Sequence, residues 1–161
     1  MAAPKTKASA DASALRLISE NRRARFNYVV EEKLEAGLEL LGSEVKSLRA
    51  GTANLSDAYA IPNGSQLFLL NAHIGAYKAA SVFGHEPIRS RKLLLHRGEI
   101  DRWISKVRER GYSIIPLSLY FKKGRVKVEL GLCRGKTHED RRHSIKERET
   151  RREMDRALRR R

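Results

Sequence analysis

The stretch of the chain that most resembles a reactive motif is GLCRGKT, residues 131–137. It looks like the end of a phosphate-binding loop, but that loop needs four residues between its first glycine and the Gly-Lys pair, and here there are three. The segment that follows is rich in arginine and lacks the apolar face of a helix that packs on a sheet. We therefore do not expect nucleotide hydrolysis, and an enzyme that uses Lys136 is kept as an alternative for experiment.

Histidine and cysteine also fail to form a recognisable site. The five histidines are not at metal-ligand spacing, and the single cysteine, Cys133, has no second cysteine with which to share a zinc ion or a disulfide. Cys133 falls on the strand face opposite Val128 and Leu130 and has no visible base, which favours a structural role over a nucleophilic one. The sequence thus predicts no catalytic residue, no metal site and no cofactor.

Basic clusters are the remaining candidates. The formal net charge of +15 and the pI near 10.4 are typical of a protein that binds phosphate groups, because Lys and Arg displace counterions from a nucleic-acid backbone. An anionic membrane would attract the same charge, but no apolar run approaches the roughly 18 residues of a spanning helix. The clusters are 21–25, Lys46 with Arg49, 89–92 and the C-terminal tail. Four clusters on one small domain favour RNA binding over ordinary solvated faces.

The first element that could position such groups covers residues 26–40. Its even positions are mostly apolar and its odd positions mostly polar, which is the alternation of a strand with one buried face. Glutamates four residues apart keep a helix as an alternative, whereas Gly37 favours a strand that bends. A strand would point Glu31, Glu35 and Glu39 away from the core, where they could accept hydrogen bonds from base amino groups.

The remaining periodicities predict two helices and two hairpins. A short helix covers 43–51, and a longer one covers 98–111 with Ile, Trp and Val at helical spacing. The hairpins turn at 62–64 and 122–124, and 75–91 is predicted as a loop. Together these elements predict a mainly β fold, an OB-like, partly open β-barrel with two or three flanking short helices. An RRM-like sheet is the alternative, but the sequence lacks the aromatic strand motif of that fold.

Composition divides the chain into a flexible N-terminal segment (1–20), the barrel (21–135) and a basic tail (136–161). The tail has eleven Lys or Arg and six acidic residues, a composition that cannot bury enough apolar surface to fold alone. We therefore expect it to be disordered when free. A single cysteine and a start without an apolar signal segment predict a cytoplasmic protein, and we expect a monomer.

Three stretches of the chain resemble the bacterial SsrA-binding protein family, also called small protein B. They follow one another in order from Asn21 to Lys136 and are NRRARFNYVVEEKLEAGLELLGSEVKSLRAGTANLSDAYA, RKLLLHRGEI and PLSLYFKKGRVKVELGLCRGK. The resemblance implies an OB-like barrel that binds the tRNA-like domain of transfer-messenger RNA (tmRNA). It further implies delivery of this RNA, charged by alanyl-tRNA synthetase and accompanied by elongation factor Tu, to stalled ribosomes in trans-translation.

The resemblance also implies which residues contact RNA. The family's RNA-binding positions fall on Asn21, Glu35 and Leu94, and Glu35 agrees with the outward strand face predicted above. Basic residues in the matching stretches are expected to contact phosphates of tmRNA, and they are Arg22, Lys46, Arg49, Arg91 and Lys92. The alternative, a general OB-type RNA chaperone or ribosomal protein, would bind many RNAs alike and would depend little on Glu35.

In the family the C-terminal tail becomes a helix in the mRNA channel of the small ribosomal subunit, near the decoding centre. The resemblance implies a ribosome-binding tail whose residues include Gly135, Lys136, His138, Asp140, Arg141 and Arg142. The family commonly has an aromatic residue or histidine directly before an Asp-Lys-Arg triplet, whereas this chain has Glu139 before Asp140. Either His138 takes over the stacking contact through a one-residue shift, or the guanidinium of Arg141 supplies it.

Overall fold

Strands outnumber helices in this protein. The computed structural model describes residues 15–77 and 84–160, which contain nine strands and four helices. None of these helices is long and apolar enough to cross a membrane. In chain order the elements are β1 (Leu15–Glu20), α1 (Arg22–Asn27), β2 (Tyr28–Leu38), α2 (Gly42–Arg49), β3 (Ala53–Asn54), β4 (Tyr59–Asn63), β5 (Gln66–Leu70), β6 (His73–Ile74), β7 (Arg91–Leu94), α3 (Arg97–Arg110), β8 (Ser113–Lys122), β9 (Arg125–Gly135) and α4 (His138–Arg159).

The strands form a barrel with one weak seam. Six of them pair in the order β8-β4-β5-β7-β2-β9, and β9 pairs back with β8. The β8–β9 and β2–β9 ladders are long, whereas β4 and β8 pair only at Ala60 and Ile114. The circle of strands is therefore closed unevenly, which confirms the prediction of a mainly β, partly open, OB-like barrel.

The barrel interior is filled by alternating residues of the long strands and by one helix. Ala36 and Leu38 of β2 and Val128 and Leu130 of β9 are buried, so the predicted alternation of both strands is confirmed. Helix α3 adds Trp103, which is fully buried in the same cluster. The helix ends before a glycine in the left-handed region, where the absence of a Cβ removes the steric penalty.

A second, smaller apolar cluster packs Cys133 of β9 against residues of β8 and α1. It contains Ala24, Ile115, Leu117 and Cys133. Burial raises the pKa of the Cys133 thiol to about 11, so the thiol stays protonated near neutral pH. This environment agrees with the predicted packing role of the cysteine.

Residues 22–27 form the helix α1, and its last two residues fall where the sequence pattern predicted the beginning of the strand 26–40. The Asn21 side chain accepts a hydrogen bond from the Ala24 amide at 3.0 Å, the arrangement of a helix N-cap. Ala24 packs in the second apolar cluster, so this short helix has a buried anchor. The predicted strand is therefore wrong at its start, because β2 begins at Tyr28.

The N-terminal boundary also differs from the prediction. Residues 15–20 form β1, which pairs with β8, and Ile18 packs against the main core. The prediction of a flexible segment over 1–20 is wrong for these six residues, because the edge of β8 offers backbone partners that composition does not reveal. Residues 1–14 lie outside the described part of the chain.

A buried carboxylate joins α2 to the segment that leads into β7. Arg89 donates to Glu44 from Nε and Nη2, and Arg91 donates from Nε, each at 3.0 Å. The backbone N–H of Leu41 also donates at 3.0 Å, and the side chains of Glu44 and Arg91 are fully buried. Burial alone would raise the pKa of this carboxyl, but the donated hydrogen bonds, those of Arg89 foremost, hold the pKa of Glu44 below its ordinary value.

Replacing Glu44 with alanine is expected to destabilise the fold by about 3–5 kcal/mol, because the buried charge of Arg91 loses its partner. Urea unfolding followed by circular dichroism measures the free energy of unfolding. The matched control is Glu109→Ala, an exposed position on α3, which should change that free energy by less than about 0.5 kcal/mol. A loss below about 1 kcal/mol for Glu44→Ala would show that the buried pair does not hold α2 in place.

The pH dependence of unfolding gives a second readout of the same prediction. Because the folded-state pKa of Glu44 is depressed, its contribution is fully present above the pKa of an unfolded glutamate, about 4.3. The contribution is lost as pH falls through the lower folded-state pKa. The difference in unfolding free energy between wild type and Glu44→Gln should therefore shrink below about pH 4. A constant difference across this range would contradict the assignment.

Candidate RNA-binding surface

The outer face of β2, β9 and β8 carries paired charges. Glu31 accepts from Arg134 of β9 at 3.2 Å, and Glu35 lies 3.2 Å from the ammonium of Lys122 on β8. Glu39, just beyond β2, is also exposed. The predicted outward direction of these three glutamates is confirmed, and the first two have cation partners on β9 and β8.

Glu35 is held on two sides and remains accessible. The Tyr120 hydroxyl donates to Oε2, and the Lys122 ammonium lies 3.2 Å from both carboxylate oxygens. The hydrogen bond from Tyr120 is the main reason why the pKa of Glu35 is lower than usual, and Lys122 and Lys127 add to the effect. The Glu35 side chain is 37% exposed, so an ionised acceptor faces solvent at neutral pH.

An exposed leucine lies beside this acceptor. Leu94 of β7 pairs with Gly37 of β2 and is 49% exposed. A Cβ on Gly37 would lie 3.2 Å from the Leu94 Cβ, so the glycine allows the leucine to approach the strand closely. Glu35, Gly37, Leu94 and Lys127 line a cleft of about 470 Å³, which we call the Glu35 cleft. The structure thus brings together two of the three RNA contacts that the resemblance implied.

Arg91 is not available to a phosphate in this structure. The alternation of β7 directs Arg91 inward and Lys92 outward. The guanidinium of Arg91 lies on Glu44, and its other N–H groups donate to the carbonyls of Ala72 at 2.7 Å and Pro87 at 3.2 Å. The expected phosphate contact of Arg91 is therefore corrected to a structural role. Lys92 is half-buried on the outer side and stays a candidate.

The side chain of Asn21, another expected RNA contact, is also buried. Its amide nitrogen donates to the carbonyls of Leu55 at 2.9 Å and Pro116 at 3.0 Å, while its oxygen caps α1. With 1% exposure, Asn21 offers no free group to RNA in this structure, and its role here is to fix α1. The neighbouring Arg22 is exposed and stays a candidate.

The other candidate cations form two groups. Lys46 and Arg49 are exposed on α2. Val45 of the same helix lines a second cleft together with Leu94. Neither Lys46 nor Arg49 is among the residues that line this cleft or the Glu35 cleft. The α1 cations lie beyond the opposite end of β2, and the eight residues from Tyr28 to Glu35 span about 23 Å.

The tail is a helix in the structure, where the sequence predicted disorder in the free protein. Thr137 and Asp140 form a capping box at its start, with the Thr137 hydroxyl 2.8 Å from the Asp140 carboxylate. These hydrogen bonds lower the pKa of Asp140. The Glu–Arg spacing of the segment favours a helix, which is the form that the resemblance implied for the bound tail. Disorder of the tail in the free protein stays a prediction. The other predicted tail residues apart from Lys136 are exposed, and they are Gly135, His138, Arg141 and Arg142.

The first turns of α4 are tied to α1. Lys136 donates from Nζ to the carbonyl of Arg25 at 3.1 Å and to the hydroxyl of Ser144 at 3.0 Å. The guanidinium of Arg148 lies over the ring of Phe26, 5.6 Å from its centroid, which is within cation–π range. We call these five residues the tail latch. The expected ribosome contact of Lys136 therefore competes with bonds inside the protein.

Sequence reasoning missed two residues that hold the site in place. Tyr120 alternates with the buried Leu119 and Phe121, so strand parity could have placed it on the outer face with Glu35. Glu44 had no such signal, because nothing in a single sequence pairs it with an arginine 47 positions away. Short-range sequence patterns show which face of an element a side chain is on, but they do not show which distant residue it contacts.

The described surface offers binding groups suited to hydrogen bonding and charge. Within residues 15–77 and 84–160, no group of three or more His, Cys, Asp or Glu side chains could hold a metal ion. The Glu35 cleft combines a carboxylate, an apolar side chain and a lysine. These groups match the amino edge, the ring and the phosphate of a nucleotide.

Comparison with known proteins points to one family. A model of the SmpB protein family matches residues 18–160. The chain belongs to the SmpB family. The SsrA-binding protein of Myxococcus xanthus (strain DK1622) is 74% identical over 157 residues, which cover 98% of this chain and 97% of the relative. That of Anaeromyxobacter sp. (strain Fw109-5) is 61% identical over 146 residues, covering 91% and 88%.

A solved structure from the SmpB family is similar as well. It is described as "tmRNA-SmpB: a journey to the center of the bacterial ribosome", with a TM-score of 0.64 and 42% identity. The similarity covers 79% of this chain and 93% of that one. The family resemblance stated from the sequence is therefore confirmed, and the family match includes both α1 and α4.

In this SmpB-family chain, replacing Lys136 with methionine is expected to loosen the first turns of α4. Methionine keeps an unbranched stem but cannot donate to Arg25 or Ser144. Amide hydrogen exchange in residues 140–150 should become about 3- to 10-fold faster, because a lost hydrogen bond is worth roughly 0.5–1.5 kcal/mol. The matched control is Lys146→Met, an exposed lysine of the same helix. Equal exchange rates in the two variants would mean that the latch does not hold the helix.

Proposed function

We propose that this chain is a non-enzymatic RNA-binding adaptor that binds the tRNA-like domain of tmRNA and delivers it to stalled ribosomes for trans-translation. The observation that carries the proposal is the Glu35 cleft, where an ionised carboxylate faces solvent beside an exposed leucine. The similar solved structure, whose description names tmRNA and the bacterial ribosome, supports it. Elongation factor Tu and alanyl-tRNA synthetase would act indirectly, through tmRNA.

A carboxylate on a strongly cationic protein is suited to bases and unsuited to phosphates. It repels the RNA backbone, and it accepts hydrogen bonds from amino groups on base edges. Such edges are accessible mainly in single-stranded loops, where proteins find most sequence-specific RNA contacts. Leu94 offers an apolar surface to the same nucleotide, and Lys127 offers charge to its phosphate. A folded RNA loop is therefore the target that this cleft fits best.

For the tail, we propose that α4 occupies the empty mRNA channel near the decoding centre of the small ribosomal subunit. No described residue of α4 is buried in the protein, so its basic surface outside the tail latch is exposed and can meet ribosomal RNA. A segment that is already helical loses less conformational entropy on binding than a disordered one. The helix therefore supports the same bound form that the resemblance implied.

Replacing Glu35 with glutamine is expected to weaken binding to the tRNA-like domain about tenfold or more, because a hydrogen bond to a charged group contributes about 1.5–3 kcal/mol. The measurement is competition binding at about 0.15 M salt, against excess ordinary tRNA, so that nonspecific phosphate attraction is weakened. The matched control is Glu39→Gln, which removes a negative charge from an exposed position outside the Glu35 cleft.

The alternatives predict different results in this assay. A general OB-type RNA binder would bind the tRNA-like domain and ordinary tRNA alike, and Glu35→Gln would leave its affinity unchanged or improve it. An enzyme that uses Lys136 would bind a nucleotide in the wild type and lose that binding in Lys136→Ala, with RNA affinity measured separately. Either pattern would contradict the adaptor.

At the start of α4, His138→Ala is expected to reduce tagging of stalled ribosomes about fivefold or more, because stacking of a base on an aromatic ring contributes about 1–3 kcal/mol. Glu139→Ala should have a smaller effect. Both positions are exposed, so neither change disturbs packing, and a reconstituted trans-translation reaction measures the yield of tagged product. Equal, negligible effects would remove the shifted-ring hypothesis, and a selective loss in Arg141→Ala would favour the guanidinium.

A further inference from the structure

The hydroxyl of Tyr120 is bonded to the acceptor at the centre of the cleft. Tyr120 on β8 donates from Oη to Oε2 of Glu35 on β2, across the intervening strand β9. Lys122, two residues further along β8, lies 3.2 Å from both oxygens of the same carboxylate. Glu35 therefore has fixed partners before any RNA arrives.

These partners leave one oxygen less occupied than the other. A carboxylate has about four lone-pair sites, two on each oxygen. Oε2 accepts from both Tyr120 and Lys122, whereas Oε1 accepts from Lys122 alone among the contacts of the described residues. The open acceptor site is thus on Oε1. Rotation of the carboxylate would turn Oε1 away from its present direction, but it would also break the hydrogen bond from Tyr120 to Oε2.

We propose that Tyr120 is a positioning residue whose hydroxyl fixes the Glu35 carboxylate so that Oε1 is presented to an amino group of an exposed RNA base. This inference rests on the proposed role of Glu35 in binding tmRNA. Its ligand is the exocyclic amino group of adenine, cytosine or guanine, which is one of the donors on the edges of exposed bases. A side chain fixed in advance loses less conformational freedom on binding, so the hydroxyl contributes to affinity without touching the RNA.

A tyrosine suits this role better than a second lysine would. Burial raises the pKa of the Tyr120 hydroxyl, and the Glu35 carboxylate raises it further, so the hydroxyl keeps its proton and remains a donor. The Tyr120 and Lys122 side chains are both half-buried, so the difference between them lies in flexibility. A flexible ammonium can turn to a nearby phosphate. Tyr120 therefore sets the direction of the carboxylate, and Lys122 balances its charge.

The test is Tyr120→Phe, which removes the hydroxyl and keeps the ring. The full chain and the tRNA-like domain of tmRNA are used in the competition assay described above. Affinity should fall about 3- to 10-fold, with the thermal midpoint unchanged. Tyr112→Phe, a half-buried tyrosine just before β8, is the matched control and should bind as the wild type does. In a Glu35→Gln background, Tyr120→Phe should cause no further loss.

The pH dependence of binding separates a positioning role of Tyr120 from a loss of packing. A loss of packing would not change the pH at which affinity falls. Without the bond from Tyr120, the pKa of Glu35 rises toward its ordinary value. On acidification, the affinity of Tyr120→Phe should therefore fall at a higher pH than that of the wild type. The other titratable groups that face or border Glu35 are the same in both proteins, and they are Lys122, Lys127, Glu129, His96 and Glu99.

The outcomes separate this inference from the function on which it rests. If Glu35→Gln weakens binding and Tyr120→Phe does not, the positioning role is wrong and the adaptor function stands. If Glu35→Gln leaves binding unchanged, the role of Glu35 fails and the inference fails with it. If Tyr120→Phe weakens binding equally with and without the Glu35 carboxylate, its effect is structural and the proposal is overturned.

Discussion

The buried carboxylate of Glu44 is the interaction on which the rest of the architecture depends. Removing a charge from water costs several kcal/mol unless partners replace the lost hydration, and Glu44 is fully buried together with Arg91. Its donors come from Leu41 just before α2, from Arg89, and from the first residue of β7. The start of α2 and the segment 89–91 must therefore come together in one arrangement, because separating the two leaves a buried charge poorly satisfied.

This constraint reaches the Glu35 cleft through β7. That strand has four residues and pairs with β2 only at Gly37–Leu94 and Leu38–Leu93. So short a ladder specifies its own register weakly, whereas an arginine anchored on Glu44 fixes where the strand begins. Once Arg91 points inward, the two-residue period of a strand directs Leu94 outward. The exposed leucine beside Glu35 is thus a consequence of an ion pair buried on the other side of the strand.

Periodic signals explain how much of the fold could be predicted. Most of β2, most of α3 and the hairpin at 122–124 followed from alternation, helical spacing and turn residues, because these patterns record local burial. The helix α1 did not follow, since its cap Asn21 depends on Pro116, 95 positions away. The strand β1 depends in the same way on the edge of β8. In the candidate site, parity placed Glu35 correctly, whereas Arg91 was misassigned because a basic residue on a strand is ambiguous until its spatial partner is known.

The arrangement of charge separates affinity from selectivity. The chain carries a net charge of +15, yet Glu31 and Glu35 on the outer barrel face are paired with cations from β9 and β8. Exposed cations are instead dense on α1 and α4. Attraction of these helices to phosphate is long-range and is screened by salt over about 8–10 Å. A hydrogen bond from a base to Glu35 would be short-range and directional, so salt would affect it less. In the proposed function, general attraction to RNA and discrimination among RNAs would therefore rest on different parts of the molecule, and neither would need to be weakened for the other to be strong.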